Sequence, residues 1–246
     1  MPNTPDAPAD APGDLAAPPA DLPTDPPTGP PADLPTGPPT DLLAAWAALL
    51  LRCGANADPE PAGRELLRRW AEPQRRYHTV AHLRAVLAHV DTLAGHADDP
   101  DTVRLAAWFH DAVYRPDRSE NEERSAALAV RALTEAGLPA ARVAGVERLV
   151  RLTVTHRPEP GDRDGEVLCD ADLAVLGGLP EEYAAYAAAV REEYAFVPEP
   201  DFRAGRAEIL RRLLALPALY RTPVARERFD APARANLAAE LGRLEP

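Results

Sequence analysis

The stretch Ala106-Ala107-Trp108-Phe109-His110-Asp111-Ala112-Val113-Tyr114 sets a histidine and an aspartate side by side at the end of an apolar run. A buried ionisable pair is costly unless something compensates its charge, so an apolar helix has little reason to end in one. A bound cation would compensate it. Two other stretches offer ligands for the same ion: Tyr77-His78-Thr79-Val80-Ala81-His82 upstream and Cys169-Asp170-Ala171-Asp172-Leu173 downstream.

Outward from this centre, apolar residues recur at helical spacing and almost nowhere alternate. Leu42, Leu43, Trp46, Leu49 and Leu50 begin the series, with Thr40 or Asp41 as N-cap; Leu66, Leu67 and Trp70 mark a second helix starting near Pro61. Val80, Leu83, Val86, Val90 and Leu93 predict a long helix that closes at Gly95 and carries His78 and His82 on one face, with solvent-facing or capping roles for His89 and His96. Asp101 opens the helix that delivers His110 and Asp111. Ser119-Glu120-Asn121-Glu122 reads as a capping box for a helix to about Ala136, and Pro139 starts another that ends at His156. Residues 167–176 fit a short strand or a buried helix, with Asp170 as a possible N-cap favouring helix. Three helices complete the chain, near 180–196, 202–216 and 231–241, the last stopped by Gly242. The reading is an all-α bundle of about nine or ten helices over residues 41–246, with no convincing internal boundary.

Residues 1–40 differ in kind, holding about half of the 29 prolines, six Asp and no Arg. Such a segment buries too little apolar surface to offset its ordering entropy, so a disordered acidic tail, with short polyproline stretches, is expected there. No secretory signal and no uncharged apolar run of membrane-spanning length are present, which points to a cytoplasmic chain without a membrane partner. All 27 basic residues are Arg, and the formal net charge of −12 argues against general nucleic-acid binding. Cys53 and Cys169 form no metal-ligand spacing and read as reduced, buried apolar residues.

His82, His110, Asp111 and Asp172 together make a two-His, two-Asp set. Imidazole and carboxylate suit a divalent Mn, Fe, Co, Ni or Zn ion, with Mg also possible, whereas an oxygen-only ion such as Ca does not need histidines. Asn121 and Glu122 stand near the set, with the capping box sufficient to explain Glu122. Arg76, Arg206 and Arg234 are candidates to hold a phosphate, because a guanidinium matches it bidentately.

Beyond these residues, Arg76-Tyr77-His78-Thr79 with His82, Trp108 to Tyr114, Asn121-Glu122-Glu123, Thr155-His156, Asp170-Ala171-Asp172-Leu173, Arg191-Glu192-Glu193-Tyr194, Gly205-Arg206 and Ala233-Arg234-Ala235-Asn236-Leu237 carry a resemblance. Over about residues 41–245 the chain resembles the HD superfamily of metal-dependent phosphohydrolases, in particular a bacterial branch of predicted members. The resemblance implies a helical bundle with His82, His110, Asp111 and Asp172 as metal ligands, Asp172 being preferred to Asp170 because its Ala-Asp-Leu context matches the last ligand of relatives. Asp170 then becomes a supporting group. Cyclic nucleotide phosphodiesterases share the fold and take a general acid from the first His of a Tyr-His-Asn-x-x-His stretch; His78 stands at that position here, with Thr79 in place of the Asn. HD proteins with two metals carry extra histidines between the HD pair and the final Asp. Only His156 is available, which implies one ion per chain, with His156 beside the substrate. The expected activity is hydrolysis of a small phosphate ester or nucleotide by a metal-activated water. The alternatives are a di-iron oxygenase, which needs a richer His set, and a non-catalytic nucleotide or metal sensor. Substrate, metal identity and oligomeric state stay open.

Overall fold

A computed structural model of the protein describes residues 40–245, so the expected tail over 1–40 lies outside the described residues except for Thr40. The described residues form ten α-helices and one 3-10 helix, with no strand: α1 Thr40–Arg52, α2 Glu60–Trp70, α3 Val80–Leu93, α4 Pro100–Phe109, α5 Asn121–Glu135, α6 Ala140–Leu152, α7 Arg163–Asp172, the 3-10 helix Leu173–Gly177, α8 Pro180–Glu193, α9 Glu199–Ala215 and α10 Pro223–Leu244. This is the all-α bundle read from the periodicity. No described helix is long and apolar enough to cross a membrane.

α4 is the centre of the bundle and packs against α1, α3, α5, α6 and α7. Its sequence explains the position, because Val103 and the whole run Leu105 to Phe109 are buried, leaving only the first turn and Arg104 partly exposed. Asp99 starts the helix by accepting the backbone N–H of Thr102 at 3.1 Å, and Pro100 occupies the first turn, where its missing donor costs nothing. Around α4 the three tryptophans are almost fully buried, with Trp46 and Trp108 rings 5.1 Å apart and the Trp70 indole donating to the Trp108 carbonyl at 3.1 Å. The indole donor therefore needs no water, and the large rings fill the bundle interior.

Several local expectations are corrected. Residues 167–176 are helical, but Asp170 lies in the last turn of α7; the N-cap is Asp162, which accepts from Gly165 N at 3.1 Å. The capping box at Ser119 to Glu122 does not form, since Glu120 is the N-cap of α5 without a side-chain hydrogen bond. α6 ends at Leu152, leaving His156 in the following turn. α10 begins at Pro223 and runs through Pro232 and Gly242. Thr222 caps it by accepting from Ala225 N at 3.2 Å, and buried Ala225 and Phe229 anchor the turns before the internal proline. His96 pairs with Glu166 at 2.6 Å and His89 lies against the Phe229 ring at 5.4 Å, so neither points freely into solvent. Cys53 and Cys169 are free thiols, both buried.

Candidate metal centre

Three mutually packed helices deliver the ligand candidates. His82 sits in the first turn of α3, His110 follows the last residue of α4 with Asp111 next, and Asp172 ends α7; α3, α4 and α7 touch one another pairwise. The start of α3 and the ends of α4 and α7 meet here. Thr79 caps α3 through its hydroxyl, which accepts from Ala81 N at 3.3 Å. His110 closes α4 with its side chain, Nδ1–H donating at 2.8 Å to the carbonyl of Ala107, one of the carbonyls a helix end leaves without a partner.

That bond decides which nitrogen is free. A carbonyl only accepts, so Nδ1 of His110 carries its proton and a neutral ring turns the Nε2 lone pair inward. Nε2 lies 3.3 Å from Nε2 of His82, 3.5 Å from Asp172 Oδ1 and 3.3 Å from Asp111 Oδ2. His82 Nε2 in turn is 3.1 Å from Asp172 Oδ1 and 3.9 Å from Asp111 Oδ2. Lone pairs and carboxylate oxygens converging in a buried site repel one another unless protons or a cation stand between them. The donor chemistry fits a divalent ion, and His82, His110 and Asp172 could hold one.

The same charges set how protons are shared across the site. Burial lowers the pKa of His110, but the Asp111 and Asp172 carboxylates outweigh it and lift the ring to about 9. Burial pushes the Asp172 carboxyl up, and His110, His156 and His82 more than reverse this, holding it well below the usual carboxylate range. Burial and the adjacent His110 and His78 keep His82 low despite Asp172. A metal bound here would have to displace the proton on His110, so its affinity would weaken as pH falls.

His78 is not on α3, as the spacing predicts, but in the turn before its Thr79 cap. Its Nδ1 lies 2.7 Å from Glu193 Oε2, and its Nε2 faces Asp111 Oδ2 at 3.9 Å. Glu193 Oε1 accepts the backbone N–H groups of Arg76, Tyr77 and His78 at 2.7, 2.9 and 3.0 Å, and Oε2 also accepts the Tyr114 hydroxyl at 2.9 Å. Burial raises the Glu193 pKa, but His78 and these backbone donors outweigh it and bring it to about 2, so Glu193 is a fixed anion. For His78 the pull of burial toward the neutral ring is exceeded by Asp111 and Glu193, and its pKa rises. Arg75, with a side chain buried to 0 % exposure, donates to the carbonyls of His78 at 2.8 Å and Ala112 at 3.4 Å, tying the two ligand-bearing segments together between the Trp70 and Tyr114 rings.

Glu193 and Arg75 were missed as site residues. A signal existed for the first: Tyr186, Val190 and Glu193 fall on one face of α8, so a carboxylate occupies an apolar phase. For Arg75 there was none, since nothing in Arg75-Arg76 distinguishes one arginine from the other.

The remaining candidates divide. His156, at φ 50°, brings its Nε2 to 2.8 Å from Asp172 Oδ2, and its Nδ1 is buried without a hydrogen-bond partner. Asn121 braces the loop after Asp111, accepting from Arg115 N at 3.0 Å and donating to the Arg115 and Arg118 carbonyls at 2.9 and 3.0 Å. Asp170 accepts the N–H groups of Arg221 and Thr222 at 2.9 and 2.7 Å, fastening α7 to the start of α10. A cavity of about 120 Å³ joins His78, Asp111, His156 and Asp172 with Asn121, Glu122 and Arg206. Arg76 and Arg234 do not line it. Arg76 is exposed and donates to the Pro73 and Arg75 carbonyls, while Arg234 holds Asp230 at 2.8 Å and the carbonyls of Leu214 and Leu216 at 3.2 and 2.9 Å. Both guanidinium groups are thus engaged with their own surroundings. Comparison with known protein families, with curated proteins and with solved structures returns no match for this chain.

Proposed function

We propose that this chain is a divalent-metal-dependent phosphohydrolase of the HD type, cleaving a small phosphate ester or nucleotide by attack of water at phosphorus. The observation that carries the reading is the convergence of His82, His110 and Asp172 from three packed helices, in a group that could hold a metal ion, with Asp111 Oδ2 3.3 and 3.9 Å from Nε2 of His110 and His82. Two imidazoles and two carboxylates favour a transition-metal ion such as Mn, Fe, Co, Ni or Zn, one per chain. When bound, such an ion supplies Lewis acidity toward water and toward a phosphoryl oxygen.

The chain's own groups do the rest. His78 has Nδ1 committed to Glu193, so Nε2 is the atom that can hold a second proton and pass it to the leaving oxygen as the phosphorus–oxygen ester bond breaks. Against the pull of burial, Asp111 and Glu193 raise its pKa and so favour the protonated ring. Glu193 prevents the ring from turning, and Arg75 holds the backbone of His78 against that of Ala112. His156 orients Asp172 from the opposite side, which fixes the carboxylate oxygen that faces the histidines.

The test is elemental analysis of purified wild type and Asp111→Ala, followed by a phosphatase and phosphodiesterase panel with Mn, Mg, Ni, Co and Zn. The expected outcome is about one metal ion per wild-type chain, and loss of metal and of turnover together in the variant, by about 100-fold or more. An Asp111→Ala protein with full metal content and full turnover would overturn the reading.

A further inference from the structure

The lining of the cavity that holds the ligand candidates is of two chemical kinds. His78, Asp111, His156 and Asp172 are among its ionisable residues, and Leu173, Leu176, Val190, Ile209 and Leu213 among its aliphatic ones, with the Tyr186 ring beside the Tyr77 ring. Among the described residues that line it, Arg206 is the single arginine, and its charge is already used. Its Nε and one Nη bind Glu240 at 2.9 and 3.0 Å, the other Nη reaches the Tyr186 hydroxyl at 3.3 Å, and Glu240 also accepts the Tyr183 hydroxyl. The lining therefore has no unengaged guanidinium left over for a second phosphate.

Resting on the phosphohydrolase reading, we infer that the group esterified to the phosphate is uncharged, apolar and about the size of one ring. The substrate class is an aryl or short-chain alkyl monophosphate, and nucleoside polyphosphates, sugar diphosphates and dinucleotides are excluded. Two arguments converge. A second phosphate placed among leucine and valine side chains would be a buried anion without a partner, whereas phosphate sites supply guanidinium or ammonium groups. Size gives the other limit, since a cavity of about 150 Å³ lined by aliphatic and aromatic side chains takes one benzene. The cavity here is about 120 Å³, so it encloses no body larger than one ring. The Tyr186 hydroxyl, which accepts from Arg206 at 3.3 Å, can meet a hydroxyl on the body.

The experiment uses the full chain loaded with Mn. Phenylphosphonate, methylphosphonate and ATP are titrated by calorimetry, and initial rates are measured for phenyl phosphate, AMP and ATP. Phenylphosphonate is expected to bind at least tenfold more tightly than methylphosphonate, with kcat/KM for phenyl phosphate at least tenfold above AMP and ATP. Ile209→Asp should erase the phenyl preference at unchanged metal content, and the wild-type ratios decide the matter even if that variant folds poorly. Equal binding of the two phosphonates, or faster hydrolysis of ATP or AMP, overturns the inference while leaving the hydrolase reading intact. Selective phenylphosphonate binding without turnover of any ester upholds the inferred cavity and sinks the hydrolase reading.

Discussion

Glu193 is a side chain buried to 0 % exposure, and it accepts three backbone N–H groups, a tyrosine hydroxyl and a histidine N–H. Its carboxyl falls from an ordinary 4.5 to about 2 because His78 and the backbone donors outweigh burial. A depressed folded-state pKa stabilises the fold fully above the unfolded value, and that contribution disappears as pH falls from about 4.5 to about 2, amounting to about 3 kcal/mol. Glu193→Gln should therefore lose about 3 kcal/mol at neutral pH by urea unfolding and show a flatter acid limb than wild type. Equal acid limbs would show that Glu193 is not the anion described. At this scale the chain was only partly legible. The ligand types could be read because His110-Asp111 is an odd pair on an apolar run, but Arg76 and Arg234 looked as suitable for phosphate as any arginine. Only their neighbours show that Arg76 serves its own turn, that Arg234 ties α10 to the end of α9, and that Arg75 is the buried one.

At the level of elements, the helix starts aim the site. Thr79 caps α3 three residues before His82, so the cap sets where the first turn places that imidazole. Thr79→Ala should cost about 1 kcal/mol in thermal or urea unfolding and weaken metal binding, and Thr79→Asn should restore both, because asparagine caps at least as well. Unchanged metal affinity in the alanine variant would separate the cap from the site. Periodicity located the helices apart from α7, whose apolar run fitted a strand as well, since apolar spacing reflects burial on one face. Boundaries were harder to read. Asp170 and the Ser119 to Glu122 segment have the residue types of caps, yet Asp170 is drawn to the N–H groups of Arg221 and Thr222 and Glu120 takes the cap position of α5. Pro232 resembles a helix start, but Thr222-Pro223 supplies a better one and buried Phe229 holds the earlier turns in place.

For the whole molecule, the ligand cluster couples α3, α4 and α7, so an ion bound there links folding to metal. At a free metal concentration about 100 times its Kd the native state gains about 2.7 kcal/mol. For a domain of this size, that raises Tm by about 5–10 °C, and a chelator should lower it by the same amount. Scanning calorimetry with Mn and with EDTA checks this, and identical Tm values would mean that the cluster binds no ion in solution.

The amino-acid order by itself determined an all-helical body and the residue types at its centre, because helical spacing and an ionisable pair on a buried run are local properties. Tertiary structure decided which of those residues meet. Distances between segments far apart in the chain depend on packing around α4, and so does the assignment of each arginine and glutamate to a carbonyl, a carboxylate or a backbone N–H. Those partners come from other helices, and no local pattern in the chain specifies them.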